Sequence, residues 1–423
     1  MATSEKIIYV YADWQKSSPV LMGRLYVSNS RGKELFSFEY NNDWICKANS
    51  SFIFDPDLHL YEGRQYVSDK PLFGVFSDSC PDRWGRLLMK RREVLLARKE
   101  QRKPRALTES DYLLGVFDET RIGALRYSLV ENGPFSSTEK NLCAPPWTTL
   151  RTLESASLAF ENDEDGQEEK WLRQLLAPGS SLGGARPKAS VQAPDGSLWI
   201  AKFPSKNDEW NSGAWEIVVH DLAEKCGLNV SEAKLETFSD IGSTFLIKRF
   251  DRIDSKRIHF TSAMALLGKT DGEGSEGVSY LDIASFIRSN GAYPKQDLKE
   301  LWRRVVFNMA VSNTDDHLRN HGFLLSEQGW VLSPMYDVNP NIYGDAHSLN
   351  VSANDNSINF ELAIETAKYY DINIREAKNM ITDIQKIVNE NWRTIAAEYK
   401  LSKDAISRME PAFAWSVNKL KYG

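Results

Sequence analysis

The sequence predicts an α+β protein built from two or three packed units, and three observations carry that reading. The chain has 423 residues, more than one hydrophobic core ordinarily serves at roughly 100–200 residues per domain. Its first third mixes strand-like alternation with helical spacing. From about residue 281 onward the apolar spacing is mostly helical.

The elements follow in order. Lys6–Asp13 and Met22–Ser28 alternate and are rich in Ile, Val and Tyr, so both are expected as strands. Pro81–Ala97 sets Trp84, Leu87, Leu88 and Leu95 at helical spacing. Between Arg86 and Arg105 stand nine Lys or Arg against two Glu; this is either a solvated helix face or a docking patch for an acidic partner. The acidic run Glu161–Glu169 lies in a connection, and no chemistry is assigned to it. Pro178–Pro187 reads as a loop. Lys188–Gln192 and Leu198–Phe203 read as strands joined by the turn Pro194-Asp195-Gly196. A helix near Gly213–Cys226 carries Trp215, Val218, Val219 and Leu222 on one face and closes at Gly227. Thr244–Phe250 is another strand. Helices are expected at Leu281–Ser289, Lys295–Val311, Phe360–Tyr370, Ile374–Tyr399 and Lys403–Lys421. No internal repeat is visible.

Composition narrows the class. The chain is 42% hydrophobic and 26% charged, and no window approaches the ~18 consecutive apolar residues of a membrane span. Met-Ala-Thr-Ser-Glu-Lys at the start lacks a signal-peptide pattern. Cys46, Cys80, Cys143 and Cys226 are scattered without a Cys-x-x-Cys pair, so reduced thiols and a cytoplasmic location are expected, with no membrane partner. A net charge of −6 argues against nucleic acid as a partner for the whole surface.

The informative stretch is Asn313–Pro340. Leu298, Leu301, Trp302, Val305 and Met309 form the stripe of a helix ending at Ser312-Asn313, and the loop Thr314–Asn320 follows. Two strands, Gly322–Leu325 and Trp330–Leu332, flank Gln328-Gly329, a two-residue loop of favoured type. With that loop, Glu327 pairs with Trp330; continuing the ladder sets Asn320 opposite Asp337, unless Pro334 ends it early. Phosphoryl transfer needs such parts: a carboxylate to accept the proton of the attacking hydroxyl, and an Asn and an Asp to hold Mg²⁺. Asp315 and Asn320 have the Asp-x-x-x-x-Asn spacing of a kinase catalytic loop. The alternative is that Asp315, Asp316 and Asn320 only cap the loop. His317 and His321 are four apart, but a zinc site needs a third ligand that the sequence does not offer.

Lys202 shares a strand face with Leu198 and Ile200. A lysine on an apolar face is costly unless it is paired or holds an anion, and the alternative is an amine that snorkels to water. Glu216, on the next helix, is the candidate counter-ion. The preceding loop offers the N–H groups of Ser181, Gly183, Gly184 and Ala185, with Arg186 and Lys188 beside them. It matches neither glycine-rich phosphate signature, and a plain turn is the other reading.

Ser181-Leu-Gly-Gly-Ala-Arg-Pro-Lys188, Ile200-Ala-Lys-Phe203, Arg249-Phe-Asp-Arg252, Asn313-Thr-Asp-Asp-His-Leu-Arg-Asn320 and Pro334-Met-Tyr-Asp337 give the chain a resemblance to the HipA family of serine/threonine kinases. Ser77-Asp-Ser-Cys-Pro-Asp-Arg-Trp-Gly-Arg86 and Asp111-Tyr-Leu-Leu-Gly-Val-Phe117 extend the resemblance over nearly the full length. It implies a two-lobed, protein-kinase-like α+β fold: an amino-terminal subdomain over 1–135, an acidic connection over 136–177, a kinase amino-terminal lobe over 178–250 and a helical carboxy-terminal lobe over 251–423. ATP and Mg²⁺ are the implied cofactors. Asp315 resembles the catalytic base and Lys202 the phosphate lysine, with Asn320 and Asp337 as metal ligands. Gly183, Gly184, Ala185, Arg186, Pro187, Lys188, Lys248, Arg249, Phe250, His317, Leu318, Arg319, Asn320 and Tyr336 would line the nucleotide. Ser181, or else Ser180, matches a loop serine that such kinases autophosphorylate; a dianionic phosphate cannot share a pocket with those of ATP, so the loop would leave. Lys248 departs from the family's frequent acid. The implied partners are a small helix-turn-helix antitoxin, DNA only through it, and a protein substrate such as an aminoacyl-tRNA synthetase. The alternatives are a catalytically silent co-repressor module and a metal-dependent phosphohydrolase built on Asp315, Asp316, His317, His321 and Asp337.

Overall fold

Alternating apolar residues make the first sheet. In the computed structural model β1 (Lys6–Ala12), β2 (Val20–Ser30), β3 (Lys33–Tyr40), β4 (Gln65–Tyr66) and β5 (Leu125–Ser128) form an antiparallel sheet in the order β4-β3-β2-β1-β5. The structure describes residues 5–14, 18–47, 53–67, 69–138, 144–162, 170–172, 174–175, 185–254, 256–270, 272 and 277–417. By compactness these fall into two units, one comprising 1–207 with 246–261 and the other 208–245 with 262–423.

In the first unit, Ile8, Val10, Leu25, Phe36 and Phe38 point into the core. The helix Arg83–Lys99 starts where the Asp82 side chain accepts from the Arg83 amide. Trp84, Leu88 and Met89 are buried, whereas Leu87, expected on the same face, points outward. Several cations of the basic stretch are held locally: Arg86 by Glu109, Arg102 by Glu93 and Glu100, and Arg105 by Asp111. That leaves less free charge for an acidic partner than the sequence suggested. Beyond these, β6 (Lys188–Gln192) and β7 (Leu198–Lys202) form a hairpin that pairs Lys188 with Lys202 and Gln192 with Leu198. Asp195 accepts from the Ser197 amide and hydroxyl in its turn.

In the second unit, the helix Ser212–Lys225 is capped by Asn211, which accepts from the Ala214 amide, and ends before Gly227 at φ 68°. Its Trp215 packs near Trp392 and Phe413, which stack on each other at 4.4 Å. Helices Tyr280–Asn290 and Pro294–Ala310 follow, the second with proline in its first turn, where a missing N–H costs nothing. Two expected helices are shorter than their patterns. The first stops at Thr366 and tightens into a 3₁₀ turn, Ala367–Tyr370; the Thr366 hydroxyl bonds back to the carbonyls of Leu362 and Ala363. The other stops at Met409 and continues as 3₁₀ through Glu410–Ser416, where Pro411 removes an α-helical donor; its expected end, 418–421, lies outside the described residues. Among the described residues no helix is long and apolar enough to cross a membrane. Cys46, Cys80 and Cys226 are free, and Cys143 lies outside the described residues.

Candidate active site

The helix Pro294–Ala310 delivers the loop. It ends because Ser312 adopts a left-handed φ of 50° and the Asn313 amide turns back to the Asn308 carbonyl at 2.9 Å. Thr314 to Asp316 follow without regular structure, His317 is extended, and Leu318–Asn320 makes one 3₁₀ turn. Asp315 is exposed, while Asp316 is 3% exposed.

Asp316 is held inside. One of its oxygens accepts from the Tyr280 hydroxyl at 2.6 Å, the Asn308 amide at 2.8 Å and His321 Nε2 at 2.9 Å. Burial alone would push its pKa up, but His321 and the Tyr280 bond overcome this and hold it below the usual carboxylate range. Asp315 goes the other way. Partial desolvation comes first; the carboxylates of Asp337 and Asp316 add to it, against His317 and Arg319, and the pKa is raised. Asn320 is 8% exposed and its Nδ2 donates to the Asp315 carbonyl at 3.3 Å.

The hairpin follows with a register two residues away from the expected one. Ser326 pairs with Gly329 and Leu325 with Trp330, so Glu327-Gln328 is the turn. Gly329, expected inside the turn, sits in the strand at φ 134°, where an added Cβ would lie 3.0 Å from the Asn290 carbonyl. The Ser326 hydroxyl closes the turn by donating to the Gly329 carbonyl and accepting from the Gln328 amide. The ladder runs only as far as Ser333, whose amide reaches the Gly322 carbonyl, and Pro334 ends it. The direct Asn320–Asp337 pairing is therefore corrected. The chain still returns to the loop: the Tyr336 hydroxyl donates to the Arg319 carbonyl at 2.6 Å. Asp337 stands next, half-buried, in a left-handed conformation at φ 59°. A strained conformation at a polar residue beside a functional loop is where function is to be looked for.

These residues suit a magnesium ion. Mg²⁺ takes hard oxygen ligands, commonly one or two from the protein and the rest from water and phosphate. The Asp337 carboxylate lies near enough to raise the Asp315 pKa, a repulsion that a divalent cation would relieve, and Asn320 can add an amide oxygen. The zinc reading and the Asp316–His321 part of the hydrolase reading fare worse. Those two side chains bond each other in the core, and no group of three His, Cys, Asp or Glu poised for a metal occurs among the described residues.

In the first unit, Lys202 is 8% exposed and its cross-strand neighbour Lys188 5%. Like charges directly across a ladder repel each other. One expectation is corrected. The face of β7 that enters the core carries Trp199 and Ala201, while Leu198 and Ile200, on the Lys202 face, are only half-buried. Arg186 pins the strand end through Nε to the Phe203 carbonyl. At the other end of β7, about 13 Å away at ~3.3 Å per residue, the Arg249 amide donates to the Leu198 carbonyl. Lys248 and Phe250 flank it, both half-buried. The Arg249 side chain has all five donors engaged, with Asp251, the Thr120 and Arg121 carbonyls and Ser190. It is a structural clamp, and its side chain has no donor left for a nucleotide. Ala185 is exposed and Pro187 buried. Ser180, Ser181, Gly183 and Gly184 lie outside the described residues. Glu216 is 5% exposed on its helix.

The sequence reading missed the Asp316 network and the Arg249–Asp251 clamp. The clamp's signal was the alternation of charges in Arg249-Phe-Asp-Arg252.

A model of the HipA-like C-terminal domain matches residues 180–392, half of the chain. The chain belongs to the HipA-like family. A Sinorhizobium fredii protein named "Putative kinase Y4mE" is 30% identical over 182 residues, 37% of this chain and 41% of that protein. The Escherichia coli protein named "Toxin YjjJ" is 25% identical over 248 residues, 53% of this chain and 50% of that one. This HipA-like chain thus spans about half or less of the length of the curated relatives it matches. A solved HipA of Shewanella oneidensis MR-1, in a complex titled with HipB and operator DNA, superposes with a TM-score of 0.63 at 16% identity, covering 97% of this chain and 96% of that one. That likeness establishes the shared fold, the HipA-like α+β architecture that the sequence motifs led us to expect.

Proposed function

We propose that this HipA-like chain is an ATP- and Mg²⁺-dependent serine/threonine protein kinase and the toxin of a toxin–antitoxin pair. One observation carries the reading: a single loop-and-hairpin segment brings an exposed carboxylate, Asp315, together with Asn320 and the returning Asp337. Bound ATP with Mg²⁺ would supply the phosphoryl group and neutralise charge building on it. Asp315, its pKa raised, accepts the proton of the attacking hydroxyl. Asn320 and Asp337 hold the metal by an amide and a carboxylate oxygen. Lys202, with Lys188 across the ladder, steadies the phosphates, and the backbone near Lys248–Phe250 serves the base at the far end of β7. Ser181 or Ser180 is the proposed autophosphorylated residue. The protein substrate is of a class that includes aminoacyl-tRNA synthetases. The proposed partner is a small antitoxin, with DNA reached only through it; in its favour, the Shewanella HipA was solved in a complex titled with HipB and operator DNA.

Radiolabelled ATP with Mg²⁺ tests this. Label should enter protein, and Asp315→Asn should reduce transfer by about 10²–10⁴-fold, the usual contribution of a positioned base, with an unchanged melting temperature. Label that persists at full rate in Asp315→Asn would falsify the assignment, as would a wild type that releases only free phosphate.

A further inference from the structure

We propose that Asp316 is the positioning residue of the catalytic loop: one buried carboxylate oxygen, shared by Tyr280, Asn308 and His321, fixes the backbone that presents Asp315. The catalytic part rests on the kinase reading above. The three donors come from three separate elements. Tyr280 opens the helix Tyr280–Asn290, Asn308 lies in the last turn of Pro294–Ala310, and His321 precedes the strand Gly322–Ser326. They converge on the same oxygen at 2.6, 2.8 and 2.9 Å. An ionised carboxylate accepts several such bonds at once, and charge-assisted bonds are the strong ones. A lone charge this deep would be prohibitive, so burial and bonding require one another.

Each donor is itself held. The Asn308 amide oxygen accepts from Asn313 Nδ2 at 3.1 Å, which ties the network to the first residue of the loop. Tyr280 follows Ser279, whose capping box with Asp282 fixes the start of its helix. The Tyr280 ring meets His321 edge-on at 5.6 Å and His347 at 6.3 Å. The loop is thereby fastened at Asn313, Asp316 and His321, and Asp315 is left as its exposed member. Asp316 touches no reacting atom in this scheme. It acts through the peptide bond it shares with Asp315, and misplacing that carboxylate by an ångström is enough to cost a large factor in rate.

The test uses the full chain as wild type, Asp316→Asn and Tyr280→Phe. Asp316→Asn keeps size and an acceptor oxygen but removes the charge; Tyr280→Phe removes one donor and leaves the ring. Initial rates of radiolabel transfer from ATP should show kcat about 10–100-fold lower in Asp316→Asn, as for groups that orient reacting residues, and KM for ATP within about threefold. Tyr280→Phe should fall by a smaller factor. Hydrogen exchange should speed up at least about tenfold at the amides of 313–321 and stay unchanged in the helix Ile374–Glu398. A kcat within twofold of wild type in Asp316→Asn overturns the proposal, and so does unaltered exchange in the loop. If Asp316→Asn does not fold, Tyr280→Phe decides by the same readouts. If the wild type transfers no phosphate, the kinase reading fails, and loop exchange alone decides whether Asp316 positions the loop.

Discussion

Asp251→Ala is a severe test of the clamp in the first unit. Asp251 is 3% exposed and accepts from Arg249 through both oxygens, from Arg252, and from the Gly123 amide at 2.8 Å. Burial alone would raise its pKa; the two guanidinium groups overcome this and hold it well below the usual carboxylate range. Removing it leaves two guanidinium groups, Arg249 and Arg252, without their carboxylate among low-polarity surroundings. Breaking a buried pair from one side costs about 3–5 kcal/mol. At roughly 2–4 °C per kcal/mol for a unit of this size, the melting transition should fall by about 6–20 °C. Differential scanning calorimetry of the full chain reads this directly, with guanidinium titration giving the free energy. A loss below about 1 kcal/mol would show that Arg249 and Arg252 find adequate carbonyl partners without the acid, and the clamp reasoning would fall.

Other expectations follow from single contacts. Gly344→Ala would place its Cβ 2.7 Å from Thr314 Cβ, in a segment that Asn341 and Ser348 fasten to Thr314. Overpacking there should destabilise by about 1–3 kcal/mol in a denaturant titration; a neutral result would mean that the segment yields freely. Asp297 is buried, which raises its pKa to about 6 against the help of the Leu332 amide and Arg304. Its folded pKa exceeds the unfolded value near ~3.9. Its favourable contribution is therefore complete below that value and disappears as pH rises through about 6. Asp297→Asn, neutral and still able to accept from Leu332, should match wild type near pH 4 and exceed it by ~1–3 kcal/mol above pH 7; a pH-independent difference would contradict this. Trp392→Ala, which removes the stack on Phe413 and a neighbour of Trp215, should cost about 3–5 kcal/mol by thermal or chemical unfolding.

Much of the fold was legible because period and caps agree. Alternation found β1 and β2, and the stripe through Trp302 and Met309 found the helix that delivers the catalytic loop. The hairpin register was not legible. Gln328-Gly329 has the composition of a tight turn, but the backbone of Asn290–Ala292 closes around Gly329 and makes it a strand residue, a tertiary demand invisible in local sequence. The slip was by two, so every side chain kept its face, and the return of Asp337 to the loop survived the error. Arg249 misled for a related reason. Its neighbours line one end of β7, yet its guanidinium turns to Asp251 and to carbonyls more than a hundred residues away in sequence. Asp316 was read as a cap or a ligand because its three donors come from positions 280, 308 and 321, which only folding brings together.

The tip of the catalytic hairpin has a mechanical consequence. Gly329 nests against Asn290, Trp330 bridges to Gly291 and accepts from the Ala292 amide at 2.7 Å, and the other end rejoins the loop through Tyr336. A beam gripped at both ends moves as one piece. Lengthening the corner between the helices Tyr280–Asn290 and Pro294–Ala310 would tilt the whole beam, and the displacement would emerge about 17 Å away, at five residues of ~3.3 Å each, beside Asn320.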